Sequence, residues 1–296
     1  MDISSFIKSF FLSKNVVSRL IIINVAVFLL VSVINICFTL FNSENTFLTS
    51  FLAFPAVPKV ALHKAWTLLT YMFLHEAFFH ILFNMLILYW FGKIFLTYFS
   101  EKQLVALYLI GGFIGAVFFI SAFNIFPLFI NKAYNSALMG ASASVLAIVV
   151  ATATQTPNLT MRFLFIGNVK LKWIAIIAVV ISFLGITGKN AGGEISHLGG
   201  ALTGWIFVVS LRSGKDITAW LNKIIDAFVD LFKPKKMKVT YSKTYNENHK
   251  MTDAEFNMNK ARNTEEIDRI LDKIKASGYE SLTKEEKQRL FEQGKK

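Results

Sequence analysis

Residues 19–41 read RLIIINVAVFLLVSVINICFTLF, with a charged side chain only at the first position. A run of this length matches a lipid bilayer. About 20 apolar residues in a helix cover the ~30 Å hydrocarbon core. Inside that core every backbone N–H and C=O must be satisfied within the protein, which a helix does by itself. The run is too long for a signal-peptide core and has no small-residue cleavage site after it, so it reads as a retained helix. The rest of the chain agrees. It is 54% hydrophobic and 17% charged, with 30 Phe in 296 residues. Soluble domains are about 45–50% apolar and carry about 25% charge. The chain reads as an all-α polytopic membrane protein.

Six spans fit the hydropathy, at roughly 19–40, 78–97, 103–126, 136–154, 171–187 and 195–211. Residues 1–18 form an N-terminal segment expected in the cytoplasm, and 19–211 the membrane domain. The first loop, 41–77, is apolar but broken by Pro55, Pro58 and Lys59, as expected of a segment half-sunk in the interface. Lys8, Lys14, Arg19, Lys93, Lys102, Arg162, Lys170, Lys172, Arg212 and Lys215 fall on one side if both termini are cytoplasmic. The opposite loops are poorer in Lys and Arg, as the positive-inside bias requires. With no transit-like leader visible, a bacterial plasma membrane is the expected location. The net charge of +12 is concentrated in these loops and the tail. It points to anionic lipid on the cytoplasmic side and not to nucleic acid.

Past the last span, residues 212–232 read as an interfacial helix. Ile217, Trp220, Leu221, Ile224, Ile225, Phe228 and Phe232 share one face. A docked position against the cytoplasmic ends of the bundle is the alternative. Residues 233–262 read as a basic linker. Residues 263–296 read as a small helical hairpin with a first cap at Asn263 paired with Glu266, a stop at Gly278, and a second capping box from Thr283 and Glu286. So short a unit is marginal alone, which points to docking of 263–296 on a protein partner, on the membrane domain or on a second copy of itself.

The polar residues within the apolar runs carry the chemistry. FLHEAFFHILFNML (73–86) nearly matches the zinc-protease pattern H-E-x-x-H, but its histidines are five apart. On a regular helix His75 and His80 diverge by about 140°, and no further cluster of ligands is evident. No metal or other cofactor is expected. His80 and Asn84, four apart, share a face within a span, where polar groups default to a functional reading; interhelical glue is the competing one. The fourth span opens NSALMGASASV and the sixth GGEISHLGGALTG. Gly200 and Gly204 share the face of His197 and permit a close approach to small residues of the fourth span, with Gly140 and Ser144 as expected partners. That approach brings His197 toward Ser142, a base and a nucleophile. Before residue 216 the acids are Asp2, Glu44, Glu76, Glu101 and Glu194. None lies deep in a span, so a Ser-His dyad is expected in place of an acid-completed triad. His80, Asn84 and the Ser142 backbone N–H are suitable donors for an oxyanion.

WTLLTYMFLH in the first loop, the His80-to-Asn84 spacing, GASA around Ser142 and SHLGGALTG around His197 together resemble the rhomboid family of intramembrane serine proteases, over about residues 19–211. The resemblance implies a six-transmembrane-helix bundle with a water-accessible cavity opening to the outer face, followed here by a cytoplasmic helical extension. It implies Ser142 as nucleophile, His197 as general base, and an oxyanion hole from His80, Asn84 and the Ser142 backbone. Substrates would be membrane-spanning helices of single-pass or polytopic proteins, cut near their outer end where small or helix-breaking residues allow unwinding. The chain departs from the family pattern in having Ala143 where Gly is frequent, Leu146 where an aromatic stacks on the histidine, and Thr67 where Arg follows the loop Trp. His75 and Glu76 then read as structural or water-positioning. A non-cleaving helix-binding relative is the alternative, although both Ser142 and His197 are present. A transporter or channel is the third, and charged residues paired at mid-span, which it requires, are missing.

Overall fold

The computed structural model describes residues 15–41, 47–163, 167–232 and 253–293. Residues 1–14 of the N-terminal segment and residues 233–252 of the expected linker lie outside the described residues. Among the described residues, four helices are long and apolar enough to cross a membrane: α1 (Val16–Leu40), α2 (Phe78–Phe95), α3 (Glu101–Ile125) and, later in the chain, α6 (Ala191–Arg212). Two shorter apolar helices, α4 (Ser142–Gln155) and α5 (Leu171–Gly185), stand between α3 and α6 in the chain. A membrane protein built mainly from helices is therefore the architecture.

Burial decides which helices form the centre. The apolar window of α1 is 22% buried, against 50% for α3 and α6. α1 packs on α2 at the periphery, while α4 is enclosed by α2, α3, α5 and α6. Ten of the fourteen residues of α4 are buried. A helix screened from lipid on every side need not match the bilayer thickness. This explains its start at Ser142, six residues later than the span expected from 136. The preceding residues take another path. Ala137 and Leu138 form a strand, β2, paired antiparallel with β1 (Phe54–Pro55) from the first loop. Gly140 then turns the chain with φ +110°, a value that favours glycine.

Small residues set the contacts at the centre. A Cβ on Gly200 would meet the backbone of Ala143, and one on Gly204 the backbone of Ala147. On the other side of α4, Gly111 of α3 faces Ala147 and Gly112 faces Ser144. The α4–α6 seam therefore runs through Ala143 and Ala147. This corrects the expectation that Gly140 and Ser144 supply it: Gly140 precedes the helix and lies against His80, and Ser144 turns to α3. The cause is the 100° step of the helix, counted from Ser142.

The first loop is tied down by hydrogen bonds and burial. Tyr71 donates its hydroxyl to the Gly112 carbonyl at 2.6 Å, and Tyr108 of α3 donates to the Met72 carbonyl at 3.1 Å. The indole of Trp66 donates to the Phe51 carbonyl at 2.9 Å, and Thr70 to that of Leu52 at 2.8 Å. The loop between α4 and α5 forms a β-hairpin, β3 (Thr160–Phe163) with β4 (Gly167–Lys170). After α6, helix α7 (Ala219–Phe232) packs on α3. Lys102 pairs with Asp226 at 2.6 Å, and Gln103 donates to Asp216 at 3.0 Å. Leu221 is buried there, whereas Trp220, Ile224 and Phe228 are exposed.

The chain divides into two compact units, one to residue 233 and one from 234 on. The second holds α8 (Asp253–Ser277) and α9 (Lys284–Gln293). α8 starts at Asp253, so Asn263 lies inside a helix instead of capping one, and the linker is shorter than 233–262. The reason is compositional: DAEFNMNKAR contains no Gly or Pro to stop the helix propagating backward. Gly278, with φ +78°, follows the end of α8. At the start of α9, Thr283 N–H donates to Glu286 at 2.7 Å and Glu286 N–H donates to the Thr283 hydroxyl at 3.3 Å. Lys273 pairs with Glu286 at 3.0 Å, and Arg289 with Glu266.

Candidate active site

Ser142 is the first residue of α4. Its own N–H and the next two have no acceptor within the helix, as at any helix N-terminus. The residue before it, Ala141, caps α4 without a side-chain hydrogen bond. The N–H groups of the first turn are therefore directed at the space in front of Ser142, with the positive end of the helix dipole behind them.

Two cavities meet at this serine. One of about 400 Å³ lies among α2, α4, α5 and α6. Asn84, Ser142, Ser182, Glu194 and His197 form its polar end, and Trp90, Phe91, Val149, Ile174 and Ile181 are among its apolar walls. The other, about 460 Å³, has Glu76, His80, Asn135, Ser136, Asn190 and again Ser142 in its lining. Ser142 thus stands at the waist between an apolar space and a polar one. His197 and Asn84 reach it from the first side, His80 from the second.

Each sequence-selected residue has a definite position. Asn84 is buried and donates one amide hydrogen to the His80 carbonyl at 2.8 Å, leaving a second hydrogen on the same nitrogen. The His80 ring lies over Gly140; a Cβ there would be 2.7 Å from its Cε1. Gly140 therefore admits the imidazole of His80 to the turn that precedes Ser142. Gly200 and Gly204 bring α6 against α4, so that His197, three residues before Gly200, faces the cavity of Ser142.

His75 has a role that sequence spacing left open. It is 1% exposed. The Ala141 N–H donates to its Nε2 at 3.3 Å, and its Nδ1 lies 3.3 Å from the Phe73 carbonyl. An acceptor at one nitrogen and a carbonyl partner at the other define a neutral ring. The His75 and His80 rings meet edge to face, with centroids 5.1 Å apart. Burial, with His80 beside it, lowers its pKa to about 4 from 6.5. His75 is thus a neutral strut between the first loop and the turn that presents Ser142.

Two residues at the site were not selected by sequence reasoning. Ser182 of α5 and Glu194 of α6 both reach Nδ1 of His197, at 3.0 and 3.2 Å. Glu194 does not lie deep in a span, which is why the sequence points to a dyad. Its spacing of three from His197 was the available signal, because such positions share a helix face. Ser182 has no local signal, since its proximity depends on how α5 packs against α6.

A model of the Rhomboid domain matches residues 62–214, just over half of the chain. A second model, a family of unknown function (DUF6576), matches residues 250–296. The chain is 29% identical over 211 residues to RHOMBOID-like protein 12, mitochondrial, of Arabidopsis thaliana. The aligned part is 68% of this chain, and the chain spans 60% of the length of that relative.

Proposed function

This chain belongs to the rhomboid family, and on that premise we propose that it is an intramembrane serine endopeptidase. The observation that carries the reading is the position of Ser142: a helix-terminal serine at the waist between an apolar and a polar cavity, with His197 lining the same space. A peptidase acting on membrane helices needs both spaces. The apolar one accepts side chains of a helix drawn from lipid, and the polar one admits water.

In this mechanism, Ser142 Oγ attacks the scissile carbonyl carbon while its proton passes to His197. The carbonyl electron pair moves onto oxygen. The oxyanion is met by the N–H of Ser142, by His80 and by the free amide hydrogen of Asn84. Donors of this kind contribute about 3–4 kcal/mol each in acyl transfer. His197 then gives the proton to the departing amine as the C–N bond breaks. A water from the polar side hydrolyses the acyl-enzyme by the same route in reverse.

The substrates are membrane-spanning helices cut near one end, where small or helix-breaking residues expose the peptide bond. The membrane is proposed to be a bacterial plasma membrane, with both termini in the cytoplasm and α7 lying against anionic lipid. The Lys and Arg asymmetry of the loops supports that orientation. Residues 263–296, with their helix extended back to Asp253, are proposed to bind a protein partner.

The test is cleavage of a generic transmembrane substrate by purified protein in proteoliposomes, beside Ser142→Ala and His197→Ala. Wild type cleaves and both variants do not. Cleavage by Ser142→Ala at the wild-type rate refutes the assignment. A wild type that binds a panel of helices and cuts none supports the non-cleaving alternative.

A further inference from the structure

A histidine base works only if its reactive nitrogen carries a lone pair and points at the nucleophile. Both conditions are set by whatever holds the other nitrogen. In this chain the residue one turn beyond Ser142 is Leu146, buried and aliphatic. It has no π face on which an imidazole could stack. The structure supplies another restraint. Nδ1 of His197 is 3.0 Å from the Ser182 hydroxyl and 3.2 Å from Glu194 Oε2. The Ser182 hydroxyl also interacts with the Glu194 carboxylate.

The surroundings fit that carboxylate closely. Ser182 is 4% exposed. Three residues on, where α5 ends, a Cβ on Gly185 would lie 2.9 Å from Glu194 Cγ and 3.1 Å from Cδ. Glycine at 185 therefore leaves the space that the glutamate occupies. One end of α5 contributes both a hydroxyl and a gap, and α6 contributes both the acid and the imidazole. His80 of α2 also lies within electrostatic reach of His197.

We propose that Glu194 is a positioning residue that completes a Ser142–His197–Glu194 arrangement, with Ser182 bridging acid and imidazole. It rests on the Ser142–His197 reading above. An ionised carboxylate only accepts hydrogen bonds, so the imidazole proton resides on Nδ1 and the Nε2 lone pair is left for the Ser142 proton. When that proton arrives, the imidazolium has a carboxylate against Nδ1. Glu194 stays ionised throughout. The Oγ–H proton moves to Nε2 and later to the leaving amine, and no proton passes to the acid.

The test combines kinetics with a direct view of the tautomer. In proteoliposomes, Glu194→Gln lowers kcat roughly 10- to 100-fold with KM within twofold. The expected loss is below that of a fully enclosed acid, because the Glu194 side chain is 20% exposed and Ser182 remains as a second acceptor. The double variant Glu194→Gln with Ser182→Ala loses more than either alone. Nitrogen NMR of 15N-histidine-labelled protein reads the ring directly, and with five histidines in the chain a His197→Asn spectrum assigns the signal. Wild type shows the Nδ1–H tautomer, and the double variant shifts toward Nε2–H. The proposal is overturned if wild type carries Nε2–H, or if the double variant keeps both the tautomer and kcat within twofold. Glu194→Gln preserves size, so a loss of folding by Glu194→Ala does not decide the question. A wild type with the Nδ1–H tautomer, sensitive to Glu194, but without cleavage sustains this inference and removes the peptidase reading.

Discussion

Gly200→Ala probes the seam on which the site depends. The added Cβ would sit 2.8 Å from the Ala143 carbonyl carbon and closer still to its oxygen. Ordinary contact begins at 3.4 Å, and real Cβ atoms essentially never come under 3.0 Å. The obstacle is backbone, so no side-chain rotation relieves it. α4 and α6 must separate, by on the order of 1 Å, since interiors are close-packed and do not absorb the atom elsewhere. Overpacking of this kind costs about 1–3 kcal/mol of stability. Ala143 is next to Ser142, so the displacement falls on the proposed catalytic pair, where a misplacement of ~1 Å costs roughly 100-fold in rate. Gly204→Ala is the matched control. Its Cβ would lie as close to the Ala147 carbonyl oxygen as that of Gly200 to the Ala143 oxygen, and 3.0 Å from the Ala147 carbonyl carbon and the Ala151 nitrogen, one turn deeper in the seam. Both variants should lower the unfolding temperature in detergent by similar amounts. Substrate cleavage in proteoliposomes should fall about 100-fold for Gly200→Ala and clearly less for Gly204→Ala. A Gly200→Ala protein with wild-type melting and with kcat within twofold refutes the close-seam reasoning.

Other perturbations have defined outcomes. Gly140→Ala meets both a φ of +110° and the His80 ring 2.7 Å away, so cleavage should drop more than tenfold in the same assay. His75 has a folded pKa of about 4, below the ~6.5 of an unfolded histidine. The unfolded state therefore binds more protons as pH falls. The stability contributed by neutral His75 is fully present above about pH 6.5 and is lost as pH falls toward 4. Thermal unfolding in detergent should show that acid limb in wild type and a flatter one in His75→Asn. Tyr71→Phe removes the 2.6 Å bond to the Gly112 carbonyl and should destabilise the protein by about 1 kcal/mol, read as a lowered unfolding temperature. If α7 lies on lipid, a protein whose other four tryptophans are replaced by Phe should show Trp220 fluorescence quenched by brominated lipid; fluorescence unaffected by the bromine places the exposed face of α7 in water.

Different parts of this molecule were legible in the sequence to different degrees. The long runs such as 19–41 reveal apolar helices because the signal is local and repeated. The start of α4 was not legible from hydropathy. Residues 136–141 are apolar or small enough to continue a span, and only their pairing with Phe54 and Pro55 and the positive φ of Gly140 turn them out of the helix. Gly200 and Gly204 could be seen to need a close neighbour. Which residues of α4 they touch depended on that start, and the seam moved from Gly140 and Ser144 to Ala143 and Ala147 with it. Ser142, His197, His80 and Asn84 stood out as polar side chains where polar groups are costly. Glu194 did not, because an acid near the end of a span is ordinary, and only its contact with Nδ1 of His197 sets it apart. Ser182 and Gly185 acquire meaning only when α5 is laid beside α6. In the second unit, the Thr283–Glu286 box is a short-range pattern and could be read directly, whereas the start of α8 lacked any stop signal to mark it.

The central claim is that Ser142 is a nucleophile activated by His197. The most direct measurement is to treat the purified protein with a serine-reactive fluorophosphonate and map the adduct by mass spectrometry of its peptides. The account predicts one added phosphonyl group on Ser142, formed in parallel with loss of cleavage, absent from Ser142→Ala and strongly reduced in His197→Ala. An adduct on another residue that abolishes cleavage, or unimpaired cleavage by the Ser142→Ala protein, contradicts it.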